Sequence, residues 1–227
     1  MSFTVSFNLN EKMYLKNPQE TEVGHRILEN SIILIDKLGF EAFTFRKLAM
    51  QINTTEASVY RYFENKHKLL VYLVSWYWEW VHYLIEIGIM NVREPKKRLE
   101  IAIDSIINAS YENQTISYIN ESILQRIVIA EGSKAYHTKE VDQENKVQLF
   151  SSYKELVIFL SGIILEVKSD FPYPTSLASN LFEMANNQIY FAHHLPRLTD
   201  IKDRDSQHSE LKKLLEFYAL KLLDVSE

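Results

Sequence analysis

Apolar residues recur at three- and four-residue steps along most of this chain, the spacing of helices that bury one face. From Thr21 to Leu38, Val23, Ile27, Leu34 and Leu38 keep that step, and Gly39 follows as a C-terminal stop. Thr44, Thr55 and Asn65 each stand just before a periodic run, where a side-chain oxygen accepts an otherwise unpaired backbone N–H. They mark the starts of a second, third and fourth helix. The second (Phe45, Leu48, Ala49, Ile52) and third (Val59, Tyr60, Phe63) are short and only Asn53-Thr54-Thr55 separates them, which predicts a helix-turn-helix. The fourth runs from Lys66 to Met90 with the stripe Leu69, Leu73, Trp76, Trp80, Tyr83, Ile87, Met90, and reads as a connector between two modules. Met1 to Pro18 has no clear period and reads as a loose arm.

Beyond Pro95 further helices are expected near 95–110, 115–132, 139–169, 175–194 and 206–225, with breaks at Asn113, Gly132, Asp170 to Pro174 and Pro196. The stretch Val147 to Val167 is apolar on more than one face, as in a helix buried from both sides. Ala178, Ala185 and Ala192 recur every seven residues, a small-residue stripe that serves close packing within the chain or between subunits equally well. No run of strict alternation suggests a sheet. The expected fold class is all-α, in three segments: an arm over 1–20, a helix-turn-helix domain over 21–70 and a helical domain over 71–227.

Composition narrows the function classes. Five Gly and five Pro in 227 residues supply too little turn chemistry for a many-stranded fold, and the absence of Cys removes disulfides and thiolate metal sites. Met1 to Glu11 lacks a basic and then apolar leader, which implies a cytoplasmic protein. Glu79, His82 and Glu86 fall inside any membrane span the fourth helix offers, at about 3 kcal/mol per mid-bilayer charge, so no membrane partner is expected. The net charge of −5 is unevenly spread: residues 1–70 hold nine Lys/Arg and eight Asp/Glu, whereas within Thr44 to Lys68 five cations face two anions. The cationic excess is local to the helix-turn-helix, as a phosphate-facing surface on an acidic protein requires.

Lys66, His67 and Lys68 occupy the first turn of the fourth helix, where the macrodipole disfavours cations by roughly 0.3–1 kcal/mol each. Nothing nearby in sequence offsets that placement, and a polyanion would. Thr55, Ser58, Tyr60, Arg61 and Tyr62 beside it offer hydroxyls and a guanidinium to hold a nucleic-acid backbone in register.

Gly39-Phe40, Thr44, Leu48-Ala49, the Asn53 turn, Thr55, Tyr60-Arg61-Tyr62-Phe63, Lys66 and Leu69 together resemble the N-terminal domain of TetR-family transcriptional regulators, over about residues 21–70. The resemblance implies a three-helix DNA-binding head, a long fourth helix, and an all-α domain for effector binding and dimerisation. It implies a homodimer, formed through C-terminal helices, that represses from a near-palindromic double-stranded DNA operator and is released by a small apolar or aromatic effector. It places phosphate contacts on Thr44, Thr55, Ser58, Tyr60, Tyr62 and Lys66, and base contacts on Arg46, Glu56 and Ala57, with Arg61 beside them. Arg46 suits guanine O6/N7 and Glu56 suits cytosine N4. The chain departs from the family pattern at Asn53, where Gly is usual, at Thr54, at Ala57 and at Glu56, an acid that repels phosphate unless it reaches a base.

The sensor residues are less defined. Trp76, Trp80, Tyr83, Tyr111, Tyr118 and Tyr136 offer rings for an apolar effector pocket, although core packing alone explains the same residues and is the favoured role for any single one of them. His82, Glu79 and Glu86 offer polar groups there. Two other classes remain: a helix-turn-helix-derived interaction protein without DNA binding, motivated by Glu56, and a metal-binding helical-bundle enzyme, motivated by the Glu79-x-x-His82 spacing that Glu22-x-x-His25 and Glu64-x-x-His67 share. The expectation is no enzyme, no cofactor and no metal.

Overall fold

A computed structural model of the chain describes residues 5–109, 118–202 and 207–224. Among the described residues all regular structure is helical: α1 (Glu22–Leu38), α2 (Phe45–Gln51), α3 (Glu56–Tyr60), α4 (Lys66–Ile89), α5 (Pro95–Asn108), α6 (Glu121–Glu131), α7 (Val141–Lys146), α8 (Ser151–Val167), α9 (Pro174–His194) and α10 (Gln207–Leu222). The chain divides into two compact units, Met1–Glu79 with Ser110–Ser152, and Trp80–Ala109 with Tyr153–Glu227.

The first unit is organised around α4. Every residue from Leu69 to Trp78 is buried. The sequence stripe marked one face of this helix, but Val71, Val74, Tyr77 and Trp78 bury the others too, and a helix buried all round needs cover on every side. Phe63 and Tyr14 set their rings edge-on to Tyr72 at 5.4 and 5.9 Å, and Phe7 does the same to Trp76 at 5.2 Å. Gln125 of α6 donates to Tyr77 Oη at 3.2 Å. Burial pushes the Tyr72 and Tyr77 phenols well above the ordinary tyrosine range, which keeps both neutral. Helix α6 lies on α1, where Arg126 grips Asp36 with two hydrogen bonds of 3.0 and 2.9 Å.

Residues 5–20 are not a loose arm. Leu9 and Met13 are buried, single helical turns form at Glu11–Met13 and Pro18–Glu20, and Asn10 and Asn17 cap them. The Gln19 side chain exchanges hydrogen bonds with both backbone groups of Phe7, at 3.1 and 2.8 Å. Isolated buried side chains separated by polar ones leave no period to detect, so the packing of this strap has no helical or strand signature. The strap also explains a second departure. The single helix expected over 139–169 is broken between α7 and α8, where Gln148 adopts φ +62° and Asn10 Nδ2 donates to the Val147 and Gln148 carbonyls at 2.9 and 3.0 Å. Those bonds satisfy carbonyls that a continuous helix would have used itself.

In the second unit α9 packs on α10 and α5. Ala178 and Ala185 are fully buried inside this packing, while Ala192 is half-buried, so the first two members of the stripe serve contacts within the chain. Gly88 lets α4 and α5 approach closely, since a Cβ there would lie 2.7 Å from Ile101 Cγ2. Lys212 and Asp104 pair at 2.8 Å across α10 and α5. No helix of the described residues is long and apolar enough to cross a membrane.

Truncating a buried strap residue tests whether the strap belongs to the core. Met13→Ala is expected to lower unfolding free energy by about 2–5 kcal/mol in urea titration, whereas a residue on a loose arm would change it by less than about 0.5 kcal/mol.

Candidate nucleic-acid interface and sensor residues

The helix-turn-helix is built from caps and one strained residue. Thr44 accepts from Lys47 N at 3.2 Å to open α2, and Thr55 accepts from Ser58 N at 3.2 Å to open α3, its hydroxyl also lying 2.9 Å from Ser58 Oγ. Between them Asn53 takes φ +49°, the left-handed conformation that the usual Gly would adopt freely and that Asn tolerates best among other residues. Thr54 N–H then reaches back to Ala49 O at 2.9 Å. The Arg26 guanidinium of α1 donates to the Ile52 carbonyl, fixing the turn to the first helix. Leu48, Ala49, Val59 and Phe63 are buried beneath, and the Tyr60 ring stands edge-on to Phe45 at 5.0 Å.

This scaffold exposes Thr44, Arg46, Thr55, Ala57, Tyr60 and Arg61, and partly exposes Glu56 and Ser58. Glu56 opens α3, where its charge complements the helix dipole. Two residues expected on the same surface are placed differently. Tyr62 is only 5% exposed, and its hydroxyl shares a 2.8 Å hydrogen bond with Thr21 Oγ1. Lys66 Nζ donates to the Phe40 and Glu41 carbonyls at 3.0 and 3.1 Å and sits 4.7 Å from the Phe40 ring centre.

The sequence offered no local counter-charge for His67 and Lys68, and the fold supplies one. Glu144 of α7, its side chain 7% exposed, lies 3.0 Å from His67 Nε2 and 3.3 Å from Lys68 Nζ. Removing one partner of such a buried cluster leaves an uncompensated charge. Seventy-seven residues separate His67 from Glu144, so no local pattern announced the pairing. Arg26 is missed for a similar reason, because its acceptor is a backbone carbonyl 26 residues away.

Among the sensor residues, Trp76 and Trp80 are fully buried, and Trp80 Nε1 donates to Ala109 O at 3.1 Å. Tyr118 is buried in the first unit with its ring stacked on His25 at 4.1 Å, and burial raises its pKa. Tyr136 is half-buried and Tyr111 lies outside the described residues. Tyr83 lines an open groove of about 970 Å³ with Glu86, Ile89, Arg93, Arg98 and Phe159. His82 faces the Phe159 ring at 4.6 Å. No group of three His, Asp or Glu side chains able to hold a metal ion occurs among the described residues.

Residues 27–73 match the sequence model of the bacterial regulatory proteins of the tetR family. No curated protein matches the chain significantly in sequence. Solved structures share the fold. A tetR-family bacterial regulatory protein from Rhodococcus RHA1 superposes with a TM-score of 0.63 at 14% identity, over 91% of this chain and 100% of its own. AibR, crystallised with isovaleryl coenzyme A and operator DNA, gives 0.58 at 18% identity, over 86% of this chain and 96% of its own. The ketosteroid transcriptional regulator KstR2 of Mycobacterium tuberculosis gives 0.56 at 12% identity, over 99% of this chain and 100% of its own. Residues 27–73 thus carry the helix-turn-helix domain of the tetR family, and the chain as a whole has the all-helical fold of these solved structures.

The strained turn gives a stability test. Asn53→Gly should leave stability unchanged or raise it, and Asn53→Ala should lower it by about 1–2 kcal/mol, read by thermal or urea unfolding.

Proposed function

We propose that the chain is a homodimeric transcriptional repressor that binds a near-palindromic operator and leaves it when a small apolar or aromatic effector binds. The carrying observation is the capped α3 helix, whose exposed side presents Thr55, Ala57 and Tyr60 beside Arg46 and Arg61. A helix so presented suits a major groove, with Arg46 reading guanine and the hydroxyls and Arg61 holding phosphates. In this reading Glu56 accepts from cytosine N4, Ser58 and Thr44 add phosphate contacts, and Tyr62 and Lys66 contribute once their internal hydrogen bonds are exchanged for phosphate.

Residues 71–227 serve effector binding and dimerisation in this reading. Exposed Tyr190, Leu195 and Leu198, with Phe217, Tyr218 and Leu222 of α10, give apolar surface suited to a second copy. The groove beside Tyr83 offers open space for an effector among the described residues, whereas Trp76, Trp80 and Tyr118 would have to repack to receive one. AibR, crystallised with isovaleryl coenzyme A and operator DNA, supports pairing of a small-molecule site with a DNA-binding site on this fold.

The internal bonds of Tyr62 and Lys66 favour a second reading, a helix-turn-helix protein that binds another protein rather than DNA. Selection from random duplex DNA decides between the two. The repressor reading expects a two-half-site motif whose affinity falls steeply with salt, and Arg46→Ala to cost about 1–3 kcal/mol per half-site while relaxing one base position in each. Recovery of no duplex supports the second reading. Light scattering should give a dimer for the native chain and a monomer for Tyr218→Glu, with the helical circular-dichroism spectrum retained.

A further inference from the structure

Within the helix-turn-helix the cations divide into two groups. Lys47 Nζ donates to Ala42 O at 2.7 Å, Lys66 to the Phe40 and Glu41 carbonyls, and Lys68 to Glu144. Arg46 and Arg61 are exposed and make no such bond among the described residues. The strap adds a third cation of the second kind. Leu15 N–H donates to the Tyr62 carbonyl at 2.7 Å, and the next residue, Lys16, holds its ammonium 5.4 Å from the Tyr62 ring centre. Lys16 is exposed, and no carboxylate among the described residues forms a salt bridge with it.

We propose that Lys16 is a DNA phosphate contact supplied by the N-terminal strap, so that the strap forms part of the operator-binding surface. Tyr62 stands two residues beyond the end of α3 and directly after Arg61, so the Leu15 bond fixes Lys16 against the segment that follows the recognition helix. A cation on a free arm loses conformational entropy when it binds; here much of that ordering is complete beforehand, because Met13 is buried and Asn10 is bonded to the Val147 and Gln148 carbonyls. The contact carries no base information. It adds affinity and register to every duplex alike.

The proposal rests on the DNA-binding reading, and one titration separates the two. Binding of the full-length chain to its selected duplex is measured by fluorescence anisotropy between low and moderate salt, for the native chain, Lys16→Ala and Lys16→Arg. In Lys16→Ala each protomer of the dimer loses one phosphate contact, which lowers the slope of log affinity against log salt by about 1.8 and weakens low-salt binding about threefold or more, with no change in preferred sequence. Lys16→Arg retains both the slope and the affinity. Thermal unfolding of Lys16→Ala should match the native chain. An unchanged salt slope in Lys16→Ala overturns the phosphate contact while leaving the DNA-binding reading intact; a lowered melting temperature with that unchanged slope assigns Lys16 to the Tyr62 ring alone. A native chain that binds no duplex overturns both.

Discussion

Helix α4 cannot stand uncovered. From Leu69 to Trp78 it presents apolar or aromatic surface in every direction, and each buried ring removes on the order of 150–250 Å² from water. In the first unit the strap, the Phe63 ring that follows α3, and α6 are the pieces that meet this demand. The helix-turn-helix is therefore seated on a core rather than hung from a linker. Its orientation is set by Phe63 and Tyr72 below and by Arg26 at the turn. A surface that must match groove and backbone at once needs such rigid support, because small displacements of positioned groups lose contacts.

The two halves of the first turn of α4 show how polar groups are reconciled with that core. Three successive cationic or titratable side chains at the positive end of a helix are unfavourable in isolation. Lys66 turns to two backbone carbonyls, and His67 and Lys68 share the carboxylate of Glu144. In the proposed function a phosphate would draw on the same ammonium at Lys66, at the expense of bonds it already makes.

Legibility in the sequence followed the range of the interaction. Caps at Thr44 and Thr55, the short Asn53 turn and the stop at Gly39 are local, and each stands where the pattern placed it. Boundaries of α1, α4, α5 and α9 were readable for the same reason. What stayed hidden depends on partners distant in sequence: Glu144 for His67, Val147 and Gln148 for Asn10, Tyr62 for Leu15. Residue type also misled at the surface. Tyr62 reads as an exposed hydroxyl from its motif, yet its ring is core and its oxygen is turned to Thr21. At the sensor residues the ambiguity was chemical, since a tryptophan that fills a core and one that lines a pocket have the same spacing.

The clamp of Asn10 onto Val147 and Gln148 spans 137 residues. On the ribosome the chain emerges N-terminus first, so the Asn10 amide must wait for these two acceptors until about two thirds of the protein has been made, long after the strap's partners Tyr62, Tyr72 and Trp76. The segment translated earliest is thus locked at its Asn10 clamp only by one of the later segments to be made.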